Sequence, residues 1–88
     1  MRRDARTDGN HRELLDLARR LGGFVIDTSQ LGEGKPDAFV WCRVKWLAVE
    51  IKSARGHLTT AQRTLHAMVP IAIWRTREDV LQAFWVQK

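Results

Sequence analysis

The chain has 88 residues, 44% hydrophobic and 28% charged, with 15 Lys and Arg against 10 Asp and Glu for a net charge of +5. That length allows one domain of modest stability, burying roughly 60–65% of its unfolded surface, and the basic balance suits a polyanionic partner. The single cysteine, Cys42, excludes an internal disulfide and a cysteine-rich zinc site.

Residues 1–9 are polar and charged and are expected to form a flexible basic N-terminal arm, leaving residues 10–88 as a single domain. The arm lacks the apolar stretch of a signal peptide. The longest apolar run, residues 68–74, is too short for a bilayer and contains Pro70. A cytoplasmic protein is expected. Leu14, Leu17, Ala18 and Leu21 recur at helical spacing and predict a helix over residues 10–21, with Asn10 as its N-cap and Gly22-Gly23 as its stop. Residues 24–26 read as a short strand, and 27–36 as a loop rich in Asp, Ser, Gly and Pro. Two apolar segments, 37–42 and 45–52, are separated by only Arg43 and Val44, which predicts a tight hairpin. After a loop at 53–58, Thr59 opens a helix carrying Leu65, Met68 and Val69 on one side, and Pro70 stops it. A strand at 71–74 follows. Thr76 caps a last helix with Val80, Leu81 and Phe84 facing inward. The expected fold is α/β in the order α-β-β-β-α-β-α. An antiparallel three-strand meander is joined by one strand lying parallel after a helical crossover.

The chemistry concentrates at one end of the hairpin. Strand alternation puts Leu47, Val49 and Ile51 on one face and Ala48, Glu50 and Lys52 on the other. Alone, Glu50-Ile51-Lys52 is most simply a salt bridge at a solvated strand end, and Asp37 a turn residue after Pro36. Together they read differently, because a turn near residues 43–44 brings Asp37 and Glu50 to the same end. Hard oxygen ligands there suit Mg²⁺ or Mn²⁺, which can orient and help ionise a water beside a phosphodiester. Lys52 lies where it can position that water or offset extra phosphate charge.

Gly34-Lys35-Pro36-Asp37, Glu50-Ile51-Lys52-Ser53, Gly56-His57-Leu58-Thr59 and Gln62 together resemble the PD-(D/E)xK nuclease superfamily. The likeness is to its VRR-NUC branch, whose small stand-alone members occur in phages and bacteria and are similar to Holliday-junction resolvases. It spans residues 13–84. The resemblance implies a restriction-endonuclease-like core, with Asp37, Glu50 and the Ile51 backbone carbonyl as metal ligands and Lys52 as the catalytic lysine. It also implies Gln62 as a helper near the scissile phosphate and Glu13 as an additional acidic residue at the metal. The branch's hydrophobic-Arg-Arg segment is matched only by Arg75, in Ile73-Trp74-Arg75-Thr76.

Several of these residues have a second reading. Asn10-x-x-Glu13 and Thr59-x-x-Gln62 both fit the capping box, so each long polar side chain has a local structural use as well. His57 follows Gly56 in the loop after the Glu50 strand, and His66 lies one turn beyond Gln62. His11 carries no clear signal. Arg43, Lys45, Arg55, His57, Arg63 and Arg75 are the candidate nucleic-acid contacts, each with a plain solvated-surface alternative. Trp41, Trp46, Trp74 and Trp85 lie in apolar segments and are read as core or subunit interface. The expected function is a Mg²⁺- or Mn²⁺-dependent DNA endonuclease, active on branched or structured DNA and homodimeric. The alternative is a noncatalytic nucleic-acid-binding module or accessory subunit of the same fold.

Overall fold

The structure is a computed structural model and describes residues 9–31 and 34–85. Residues 1–8 of the expected arm lie outside the described residues, and Gly9 already belongs to the first helix. The elements are α1 (Gly9–Arg20), β1 (Phe24–Asp27), β2 (Ala38–Trp41), β3 (Trp46–Ile51), α2 (Thr60–Met68), β4 (Ala72–Trp74) and α3 (Arg77–Trp85). A 3-10 turn at Ser29–Leu31 interrupts the segment expected as plain loop. Asp27 Oδ1 organises it by accepting from the Ser29 amide at 2.9 Å and hydroxyl at 2.6 Å, a local side-chain turn of the kind Asp favours.

The four strands form one mixed sheet in the order β1-β2-β3-β4. β1 and β3 run antiparallel to β2, and β4 runs parallel to β3. The chain is thus a small α/β protein with a four-strand sheet and three helices. Arg43 takes a left-handed φ of 78° at the hairpin turn. Glycine or asparagine usually fills that role, which is why the turn carries no Asn-Gly signal.

The two sheet faces differ sharply. Ala38, Val40, Val49 and Trp74 are buried against Leu14, Leu15, Leu17 and Ala18 of α1 and Val80 of α3, with Val25, Leu47 and Ile51 packed around them. Period-two alternation sends Phe24, Ile26, Phe39, Trp41, Trp46, Ala48 and Glu50 to the opposite face. There Phe24 is 61% exposed and Trp46 50%. Of the tryptophans, Trp74 is core, whereas Trp46 and Trp85 are exposed.

Helix ends follow the capping chemistry, with one correction. Asn10 does not cap α1. It sits inside the first turn, and its side-chain amide donates to the Lys52 carbonyl at 3.2 Å. Thr59 caps α2 with a complete capping box. At α3 the Asp79 amide donates to Thr76 Oγ1 while Asp79 Oδ2 accepts from the Thr76 and Arg75 amides. The side of α2 carrying Met68 and Val69 faces solvent, and no residue of that helix is buried. Among the described residues no helix is long and apolar enough to cross a membrane.

Candidate active site

Asp37 and Glu50 meet at the end of the β2–β3 pair opposite the turn. The backbone fixes Asp37 on both sides: its amide donates to Val49 O at 2.9 Å, and its carbonyl accepts from the Thr28 amide at 2.8 Å. Its side chain then caps the ladder, with Oδ2 accepting from the Ile51 amide at 2.7 Å. A strand residue sends its N–H and C=O to the same edge. The Ile51 carbonyl therefore leaves the strand on the side of Asp37.

Glu50 is only 3% exposed. Oε2 accepts from Gln62 Nε2 at 2.7 Å, and the Lys52 ammonium lies 3.9 Å from the same oxygen. Oε1 is buried with no hydrogen-bond partner. Burial pushes the Glu50 carboxyl from the ordinary 4.5 up to about 8. The neighbouring Asp37 carboxyl pushes the same way, and Lys52 offsets only part of it. This is not a solvated strand-end salt bridge. It is a carboxyl held out of water beside a second carboxyl, an arrangement that is expensive without a compensating charge.

Gln62 serves both of its readings at once. Its Oε1 accepts from the Thr59 amide at 2.9 Å, and its amide donates to Thr59 Oγ1 at 3.1 Å, while Nε2 holds Glu50. The two ends of one carboxamide thus tie the start of α2 to the buried carboxyl, and this network fixes which end is oxygen. Lys52 is anchored through its backbone, donating to Trp74 O at 3.1 Å and accepting from Asn10.

Three expected site residues lie elsewhere. Glu13 pairs with Arg77 of α3 at 3.7 Å, both side chains half-exposed, and does not join the carboxyl pair. Arg43 and Lys45 sit at the hairpin turn, roughly 17 Å from Glu50 at about 3.3 Å per strand residue; the turn that pairs the carboxyls necessarily carries these two away from them. Arg75 is at the correct end but already engaged. Its guanidinium donates to the carbonyls of Ser53 at 2.7 Å and Gly56 at 2.8 Å, clamping the loop after β3. By contrast, Arg55, His57 and Arg63 are exposed at the Glu50 end of the sheet. His66, one turn beyond Gln62, has a buried Nε2 without a hydrogen-bond partner.

One polar cluster had no sequence signal. His11 is buried, with Nε2 3.4 Å from Asp27 Oδ2. A cavity of about 320 Å³ opens beside them, lined also by Arg12, Asp16 and Ser29. Burial alone would raise the Asp27 carboxyl, but the Ser29 hydroxyl and amide and the nearby His11 outweigh it and lower it. The pairing spans sixteen residues, and no local pattern announces it.

The oxygens available for a cation are Glu50 Oε1, the Asp37 carboxylate and the Ile51 carbonyl. Among the described residues no group of three His, Cys, Asp or Glu side chains comes together, and the Ile51 carbonyl is the candidate third oxygen. An all-oxygen set of this kind fits Mg²⁺ or Mn²⁺, which retain several waters, rather than zinc. The orphaned Oε1 is the donor such an ion would satisfy. Comparison of the chain with family models, with curated proteins and with solved structures finds no match in any of the three.

Proposed function

We propose that the chain is a divalent-metal-dependent DNA endonuclease of the PD-(D/E)xK type, VRR-NUC branch, built on a restriction-endonuclease-like core and acting in the cytoplasm. The observation that carries the reading is the buried Glu50 carboxyl, with its unpartnered Oε1 beside Asp37 and Lys52. Neither a structural salt bridge nor a simple binding surface has a use for a carboxyl forced out of water beside a second, half-buried one.

Asp37, Glu50 and the Ile51 carbonyl would hold Mg²⁺ or Mn²⁺, which supplies charge to offset the phosphate and lowers the pKa of water. The protein's own groups do the rest. Gln62 holds Oε2 and leaves Oε1 without a protein partner. Glu50 would give up its proton on taking a cation. Lys52, with its ammonium 3.9 Å from Glu50 Oε2, presents positive charge toward a water or a phosphate oxygen. Arg55, His57 and Arg63 offer exposed contacts for the DNA backbone at that end. The order of helices and strands, with Pro36-Asp37 and Glu50-x-Lys52 on adjacent antiparallel strands, supports the family reading.

The test is incubation with linear, nicked, flapped and four-way DNA in Mn²⁺, with Glu50→Ala run alongside. Wild-type cleavage that favours branched forms, lost in a variant with unchanged circular dichroism, is the expected result. Undiminished cleavage by Glu50→Ala would overturn the assignment. DNA binding without metal uptake or cleavage would replace it with a noncatalytic module.

A further inference from the structure

The first turn of α1 reaches the end of the sheet where Asp37 and Glu50 meet. Leu14 and Leu15, both 1% exposed, seat the helix in the core. Asn10 lies one turn before Leu14 on the same side. Its side-chain amide donates to the Lys52 carbonyl at 3.2 Å, and the next residue, His11, meets Asp27 of β1 at 3.4 Å. Two adjacent residues of one turn therefore span the sheet end from β1 to β3, while the Thr28 amide beside Asp27 holds the Asp37 carbonyl. Asparagine is an odd start to a stripe that continues as Leu14, Leu17, Ala18 and Leu21, and its partner explains it. The Lys52 amide donates to Trp74 O, so a continuing parallel ladder would bring the Thr76 amide to the Lys52 carbonyl. That amide goes instead to Asp79 Oδ2 at 3.1 Å, where α3 begins. β4 thus leaves the Lys52 carbonyl without its ladder donor, and Asn10 supplies one from α1.

We propose that Asn10 is a positioning residue for Lys52 in the cleavage reaction, an inference that rests on the nuclease reading. The Lys52 side chain is held weakly at its own end. Its ammonium is 3.9 Å from Glu50 Oε2, beyond hydrogen-bond distance, and it sits on a flexible alkyl stem. Its aim therefore depends on where the backbone beneath it is fixed. β3 ends at Ile51. Past that residue the backbone of Lys52 is fixed by its bond to Trp74 and by the bond from Asn10. Arg75 clamps the carbonyls of Ser53 and Gly56 further along, but not that of Lys52. Without the Asn10 donor, the peptide between Lys52 and Ser53 can turn, and the stem moves with it. A misplacement of about 1 Å at a reacting group is enough to cost roughly a hundredfold in rate. Asp37 and Glu50 are held by separate bonds, to Val49, Ile51 and Gln62, so metal uptake does not follow the fate of Asn10.

Cleavage kinetics of the full chain in Mn²⁺, on the DNA form that the wild type cuts fastest, test it. Mn²⁺ affinity is measured beside them by calorimetry, and folding by circular dichroism. Asn10→Leu and Asn10→Asp keep the outline of asparagine, and at neutral pH neither can donate to a carbonyl. Each is expected to lower kcat by roughly ten- to a hundredfold, with KM for DNA and the Kd for Mn²⁺ unchanged. Asn10→Gln, which keeps a donor, is expected to recover part of that loss. Asn10→Asp, the closer isostere, decides the matter where Asn10→Leu fails to fold. A cleaving wild type whose kcat survives both substitutions overturns the positioning role and leaves the nuclease reading standing. So does a loss of rate matched by an equal loss of Mn²⁺ affinity, which would make Asn10 a prop of the metal site. A wild type that cuts no DNA form overturns the nuclease reading and this role together.

Discussion

Replacing Glu50 with Gln should stabilise the metal-free protein at alkaline pH. The side chain is 3% exposed and its carboxyl is pushed from 4.5 up to about 8 by burial and by Asp37. Between those values the folded state keeps a proton that the unfolded state has lost, so stability falls as pH rises through the window. Each pH unit is worth about 1.4 kcal/mol, which sets a ceiling of roughly 5 kcal/mol. Water entry and rotation of the two carboxyls reduce this, and about 3 kcal/mol is the expected size, or 10 °C or more in Tm for a domain this small. Glutamine cannot ionise, and its carbonyl can still accept from Gln62. The assay is thermal unfolding by circular dichroism from pH 5 to 9 in EDTA, read as wild type minus variant so that other titrations cancel. The variant should match the wild type near pH 5 and exceed it at pH 8. At pH 8, Mn²⁺ should stabilise the wild type by about 2.7 kcal/mol at a hundred times Kd, raising its Tm, and leave the variant unmoved. A pH-independent difference between the two proteins would refute a buried carboxyl beside Asp37.

The other predictions separate groups that the site ties together. Thr59→Ala removes the α2 cap and should cost about 1 kcal/mol while leaving Mn²⁺-dependent cleavage largely intact, whereas Gln62→Ala should reduce both stability and cleavage, measured by unfolding and by initial rates. Glu13→Ala, which breaks only a half-exposed pair with Arg77, should change stability by less than about 1 kcal/mol and leave the cleavage rate unaltered; a loss of activity would put Glu13 at the metal after all. Arg75→Lys loses the fork that holds two carbonyls and should cost about 1–3 kcal/mol without changing the salt dependence of DNA binding. Arg63→Ala should lower the salt slope by roughly one, and an unchanged slope would remove it from the DNA path.

Much of this protein is written in patterns that reach only a few residues. Period-two alternation is enough to place Val49 inward and Glu50 on the other face, and the Thr59-x-x-Gln62 box is enough to start α2. The two-residue gap at Arg43-Val44 already implies that Asp37 and Glu50 share an end. Long polar side chains are different, because their direction is decided by partners far along the chain. Gln62 could be recognised as a cap or as a helper, but only the approach of Glu50 twelve residues away lets it be both. Asn10 looks like a cap until the Lys52 carbonyl, forty-two residues on, claims its amide. Glu13 and Arg75 were drawn to Arg77 and to the 53–56 carbonyls by the same competition, each carbonyl or charge taking the nearest available donor. The bare aromatic face is likewise a tertiary fact. An apolar strand says that its residues seek burial, and only the placement of α1 and α3 on one side of the sheet decides that Phe24 and Trp46 are left without it.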